Sequence, residues 1–410
     1  MKRRLVIVGV TALAASLLAA CGSGSGGGSG GDTIKLLVSY PADNLIQDFP
    51  TIAVAAQAAA KAVNDAGGIN GKKIEMLTCN NKDAANDSQT CARKAVQERV
   101  VSVVGQADLY SNQSLPVLAS AGIPSVGPYT VGVPEDQTSE NSFLLNAGSV
   151  GSNVANAYAI DPATVTSVAQ AVSDVPVALQ QAELSVPLLK DQGIDFKGVT
   201  PIPLTGATDF SPYAQKLKST GAQAIACVIS TSLLNGVIKA TGAIGYNPLF
   251  LTNSQTYGEV DAAQSPGISS RLTIMSPYPS PRDTSDPLIA AYVKESAAFE
   301  NKSEQAWLDD TVFDSGWSNA VDAWLSVHAV AKAFEGHDGD VTSAALMKIL
   351  TDSNTKIDLY GHQDWQPAYT SDSDFYPRVN TLPIYYLTIE DGKLTTSKTL
   401  QSVNLRDKLG

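Results

Sequence analysis

The chain has 410 residues, 44% hydrophobic and 17% charged, with 40 acidic against 28 basic side chains and a formal net charge of −12. That length accommodates two or three domains with full hydrophobic cores, and the apolar content rules out a disordered chain. The negative charge argues against a nucleic-acid binder and against adhesion to anionic headgroups, both of which need a cationic surface.

The chain opens with Lys2, Arg3 and Arg4, followed by an apolar run from Leu5 to Leu18. The run is too short for a spanning helix, which needs about 20 apolar residues, and it carries the flanks of an export signal. It ends Leu18-Ala19-Ala20-Cys21, which resembles a bacterial lipobox. That resemblance implies lipidation of Cys21 and removal of residues 1–20. Residues 21–32 are almost pure Gly and Ser and predict a flexible tether. Losing residues 1–20 removes three cations and no anion, taking −12 to −15.

From residue 33, short apolar runs alternate with longer amphipathic ones. Ile34–Val38, Lys73–Leu77, Val100–Val104 and Ile123–Val126 predict strands. Thr51–Ala66, Asp87–Arg99 and Asn112–Ala121 predict helices, the first stopped by Gly67-Gly68. The rhythm breaks near 146–151 and resumes. Ser152–Ile160, Val175–Gln192, Pro212–Ser219 and Leu233–Ala243 read as helices. Val165–Val172, Val199–Leu204, Ala224–Ile229 and Leu249–Thr252 read as strands. Strands alternating with helices of this length imply βαβ crossovers, hence two α/β lobes with mainly parallel sheets. Beyond Pro277-Tyr278-Pro279-Ser280-Pro281 come helices at Pro287–Phe299, Ser318–Glu335 and Thr342–Leu350. Residues 361–380 read as loop, and a final hairpin turns at Glu390-Asp391-Gly392.

Export places the remaining cysteines in an oxidising compartment. Cys79 and Cys91 flank a polar, turn-rich stretch and are expected to form a disulfide. Cys227 lies in the apolar run Ala224–Ile229 and reads as a buried, inert thiol. A cysteine metal site is not supported, because no C-x-x-C occurs and His328, His337 and His362 do not cluster around the cysteines. Trp307, Trp317 and Trp324 read as helix packing, and His328 as a satisfied, partly buried histidine.

Four blocks carry a resemblance: Asn64-Asp65-Ala66-Gly67-Gly68-Ile69-Asn70-Gly71-Lys72-Lys73-Ile74; Ala121-Gly122-Ile123-Pro124-Ser125-Val126-Gly127-Pro128; Gly206-Ala207-Thr208-Asp209-Phe210-Ser211; and Gly245-Tyr246-Asn247-Pro248-Leu249-Phe250. In this order, with the lipobox, they resemble the type 1 periplasmic solute-binding proteins of the branched-chain amino acid ABC transporter family. The resemblance implies two Rossmann-like lobes joined by a three-crossing hinge. Residues 33–148 plus 279–358 would form one lobe, and 149–278 plus 359–410 the other. It also implies a non-catalytic receptor without cofactor, a monomer held outside the cytoplasmic membrane only by its lipid. A small solute would bind between the lobes and pass to permease and ATPase subunits.

Strand ends and the family pattern give the candidate ligand residues. These are Tyr40 and Asp48 after the first strand, Asp108, Leu109, Tyr110 and Ser111 after the third, and Tyr129 and Thr130 after the fourth. In the second lobe they are Ser230, Asn253, Ser254 and Gln255. Ser254 stands where amino-acid binders of the family carry an acidic residue that pairs with the ligand ammonium. An amide, a carboxylic acid without an amine, or an aromatic acid is therefore as compatible as an amino acid. The competing functions are a ligand-sensing module of the same fold and an exported hydrolase. For the hydrolase no serine or carboxylate constellation assembles from the sequence.

Overall fold

A computed structural model of the chain describes residues 33–44, 47–130, 133–204, 207–265, 267–361, 364–371, 377–378 and 383–405. The export signal, Cys21 and the tether lie outside the described residues.

The first sheet contains β1 (Thr33–Tyr40), β2 (Lys73–Asn80), β3 (Ser102–Val104), β4 (Ser125–Val126) and β5 (Ser142–Phe143), all parallel in the order β2-β1-β3-β4-β5. Leu36, Leu37 and Val38 of β1 are fully enclosed, as expected of a strand covered on both faces. The crossovers carry α1 (Thr51–Asp65), α2 (Ala85–Glu98), α3 (Ser111–Ser120) and the short α4 (Pro134–Thr138). The turn after α1 explains the first sequence block. Asn64 reaches across to both backbone groups of Ile74, accepting from N–H at 2.6 Å and donating to C=O at 2.8 Å. Gly68 has φ +81°, and a Cβ there would overlap the Lys72 carbonyl, so only glycine closes this turn. Cys79 of β2 and Cys91 of α2 form the expected disulfide, and Cys227 is a free, buried thiol.

The second sheet begins after α5 (Gly148–Ala155). It contains β6 (Ser167–Ser173), α6 (Pro176–Asp191), β7 (Asp195–Ile202), α7 (Ser211–Ser219), β8 (Ala224–Val228), α8 (Thr231–Ala243), β9 (Leu249–Asn253), α9 (Glu259–Ala263) and β10 (Leu272–Ser276). The chain then returns to the first sheet with α10 (Pro287–Phe299), α11 (Glu304–Asp310), α12 (Trp317–Ala333) and α13 (Ser343–Thr351). The buried helix α12 packs along α1 and against the ends of β3 and β4. A two-stranded piece follows, β11 (Ile357–Asp358) with β12 (Asp364–Trp365), of which β12 falls within the stretch 361–380 read as loop. Last come β13 (Pro383–Glu390), β14 (Lys393–Thr396) and β15 (Val403–Asn404), which join the second sheet antiparallel. Its order is β14-β13-β10-β9-β8-β6-β7, with β15 also on β13.

The chain therefore passes between the sheets three times, and side chains tie the passes together. Asn146 Nδ2 donates to Asp322 Oδ1 on α12 at 2.6 Å, and Tyr278 OH donates to the same oxygen at 2.6 Å. Trp365 Nε1 donates to the Leu144 carbonyl at 2.8 Å. Nearby, the buried pair Arg282–Glu259 (2.7 Å) binds the second connection, and Arg282 also donates to the carbonyls of Leu308 and Thr311.

Candidate functional site

A cavity of about 580 Å³ opens between the two sheets at the carboxyl ends of their strands. That is where open α/β sheets place ligands, and the volume falls within the roughly 300–1,000 Å³ usual for small-molecule sites. From the first sheet it receives Gln47 and Phe49 after β1, Leu109, Tyr110 and Asn112 around the start of α3, and Val133–Glu135 at α4. From the second it receives Ser173 and Val175 at the end of β6, Leu204 after β7, and Val228–Thr231 at the end of β8. Asn253 ends β9, and Gln255 and Thr256 follow it. Ser149 and Asn153 of α5, with Val177, Ala178 and Gln181 of α6, complete the wall.

Five residues expected from sequence thus line the cavity: Leu109, Tyr110, Ser230, Asn253 and Gln255. The other seven sit elsewhere. Asp108 is buried behind the loop, where its carboxylate accepts from Ser88 Oγ (2.5 Å), Tyr110 N (2.8 Å), Gln106 Nε2 (2.9 Å) and Ser114 Oγ (3.1 Å). It organises the β3–α3 turn and does not face the cavity. Ser111 is buried at the first position of α3. Thr130 donates to the Ala147 carbonyl at 3.0 Å and helps fix the first connection. Tyr129 is enclosed, and burial pushes its phenol up. Ser254 donates to Ser318 Oγ at 2.9 Å, joining β9 to the start of α12. Tyr40 is half-buried at the end of β1. Asp48 is exposed and accepts from the Asp43 amide at 3.1 Å.

Sequence reasoning missed the helix-borne carboxamides. Asn153 Nδ2 donates to Gln181 Oε1 at 2.8 Å, and Asn253 Nδ2 donates to Asn153 Oδ1 at 3.2 Å. Asn253 Oδ1 in turn accepts from the amides of Gln255 and Thr256, both at 3.1 Å. Gln181 stands beside Ala178 and Ala182 on the buried face of α6, and a polar residue on such a face was the available signal.

The electrostatics are lopsided. Glu135, half-buried at the rim, is the one charged side chain among the described lining residues. Behind the β3–α3 turn lie two further carboxylates. Burial raises Asp83 to about 7, against a weak bond from the Leu109 amide (3.4 Å). Burial also raises Asp108, opposed by its four hydrogen-bond donors.

The tryptophans lie outside the cavity. Trp307, Trp317 and Trp324 form an edge-to-face cluster with Tyr292 and Phe313, at centroid separations of 5.7–6.5 Å. His328 Nε2 lies 2.7 Å from Glu295 Oε2, a satisfied and largely buried contact. Among the described residues no group of three or more His, Cys, Asp or Glu is placed to hold a metal. No helix among them is long and apolar enough to cross a membrane.

Residues 45–371 match the family model described as periplasmic binding protein. The chain belongs to that family. A comparison with curated proteins returns no match. Among solved structures, the chain is similar to the branched-chain amino acid transporter substrate binding protein of Streptococcus pneumoniae in complex with isoleucine. There the identity is 19% and the TM-score 0.69, over 91% of this chain and 99% of that one. A branched-chain amino acid ABC transporter protein from Thermus thermophilus with bound valine gives 14% and 0.71, over 90% and 96%. A solute-binding protein from R. palustris in complex with 4-hydroxybenzoate gives 18% and 0.70, over 91% and 97%. At these identities the likeness establishes the fold, which is the type 1 periplasmic binding protein architecture expected from the sequence.

Proposed function

We propose that this protein is the extracytoplasmic receptor of an ABC importer, which captures a small organic solute between its lobes and hands it to a permease without altering it. The observation that supports this reading best is the cavity, walled by the carboxyl ends of two separate sheets that only three tied connections join. Such a layout suits hinge closure over a ligand. In this reading residues 33–148 plus 279–358 move against 149–278 plus 359–410. Leu109, Tyr110, Ser230, Asn253 and Gln255 touch the solute. Relatives of the same fold hold isoleucine, valine or 4-hydroxybenzoate, so amino acids, amides and small aromatic acids form the first screen. Cys21 carries the lipid, and residues 21–32 let the body move above the membrane.

Two experiments test this. Purified protein, denatured and analysed by mass spectrometry, is expected to release a small molecule. That molecule, added back, is expected to raise Tm and to be recovered unchanged. Turnover of the compound would overturn the receptor reading. For the anchor, metabolic labelling with a clickable fatty acid should mark the wild type and not Cys21→Ala.

A further inference from the structure

Resting on the receptor reading, we infer that the cleft selects a solute without formal charge, a small amide or similar carbonyl compound with an apolar body, and that Gln255 is the residue that recognises it. The argument is one of charge on each wall.

An ammonium group finds no counter-charge on the second-sheet wall. Asn253, Gln255, Thr256, Ser230 and Ser173 are all neutral, and Ser254 beside them is bonded to Ser318. Among the described residues the one lining carboxylate, Glu135, stands at the opposite rim. Asp108 is held by four donors inside the first sheet and does not line the cavity. Burying an unpaired ammonium is costly.

A carboxylate fares no better. The described lining has no Lys, Arg or His. The start of α3 would be the natural anion site of the first wall. Its approach is already filled: the Leu109 amide donates to Asp83, and the Tyr110 amide donates to Asp108. A ligand anion there would have to compete with two carboxyl groups for the same amides.

A neutral carbonyl group fits what remains. The carboxamides of Gln181, Asn153 and Asn253 satisfy one another in a fixed chain. Gln255 follows them, 7% exposed, its backbone amide anchored on Asn253 and its Nε2 buried with no partner among the described residues. A buried donor of this kind calls for an acceptor, and a ligand carbonyl oxygen supplies it. Phe49, Leu109, Val175, Val177, Leu204 and Ile229 provide the apolar wall for the rest of the molecule.

The test uses the full-length protein and two series, each with a similar apolar body and a polar head that is neutral or charged. One is 4-methylpentanamide, 4-methylpentanoate, isoamylamine and leucine; the other is benzamide, benzoate, benzylamine and phenylalanine. Calorimetric titration is expected to show the amide of at least one series binding ten-fold or more tighter than its charged counterparts. Gln255→Leu is expected to erase that preference. Gln255→Glu, which keeps the size, is expected to weaken the amide ten-fold and to gain the amine; it serves if the leucine variant does not fold. A charged compound binding as tightly as its amide would overturn the inference while leaving a solute receptor in place. So would a co-purified molecule that carries an ammonium or carboxylate. No binding by any of the eight compounds also overturns the class. The receptor reading would then stand or fall on the co-purified molecule alone.

Discussion

Asp322 is the side chain on which the first two connections between the sheets converge. It is fully enclosed on α12, and its Oδ1 accepts from both Asn146 and Tyr278. Burial raises its carboxyl to about 7. The unfolded chain gives up this proton near pH 4 and the folded chain near pH 7, so the folded state binds more protons between those values. The contribution of this group to stability is therefore greatest below pH 4 and is lost as pH rises to 7. Asp322→Asn keeps the acceptor oxygen and removes the charge; it is expected to match or exceed the wild type in urea melts at pH 8. Asp322→Ala strips two buried donors of their acceptor, at about 1–3 kcal/mol each. Equal stability for Ala and Asn variants would remove the hydrogen bonds from this account. Single-residue legibility was limited by direction. The rule that ligands meet strand ends located the stretches 108–111 and 253–255, yet only Leu109 and Tyr110 of the first and Asn253 and Gln255 of the second face the cavity. Asp108 and Ser254 turn inward, because a local turn and a contact with α12 claim them.

At the level of elements, the disulfide clamps the end of β2 to the second turn of α2. Replacing Cys79 and Cys91 together by serine is expected to cost about 3 kcal/mol on the chain-entropy model, read as the shift in denaturant midpoint. Helix α10 starts at Pro287 behind Asp286, whose Oδ1 accepts from the amides of Leu288 and Ile289 at 3.0 and 3.1 Å. Asp286→Ala should therefore cost about 1 kcal/mol, and Asp286→Asn much less. Both features were readable in advance as a cysteine pair around a turn and a proline opening an apolar run. Element α5 was not. The apolar pattern suggests a helix from Ser152 to Ile160, but the helix starts at Gly148 and ends at Ala155, followed by a short 3₁₀ turn. Gly148 takes φ +58°, and a Cβ there would overlap Thr130, so contact with the first connection sets the start. Strand β10 was also missed. Its residues Leu272–Ser276 are buried between β9 and β13, and β13 comes more than a hundred residues later. A pairing that distant leaves no local trace.

For the molecule as a whole, buried carboxyls act in concert. Burial raises Asp83 and Asp322 to about 7 and Asp261 to about 6, and raises Asp108 as well. All share the sign worked out for Asp322, and falling pH also relieves the net charge of −12. Scanning calorimetry should therefore give a higher Tm at pH 5 than at pH 8, with most of the change between pH 5 and 7; a Tm that rises with pH through this window would contradict it. The two α/β halves were legible because each βαβ unit announces itself locally. The order in which the chain threads the two sheets came from the resemblance, and the strands β11, β12 and β15 were not legible, since two residues each are too few to show an alternation. That threading bears on how the polypeptide is made. Part of the buried face of α1 packs along α12, which emerges from the ribosome only after the entire second sheet except its last strands. A nascent chain stopped before Trp317 leaves that part bare to water. The first half is therefore completed only after the strands β6 to β10 of the second have been made, so its consolidation waits on a helix far along the chain.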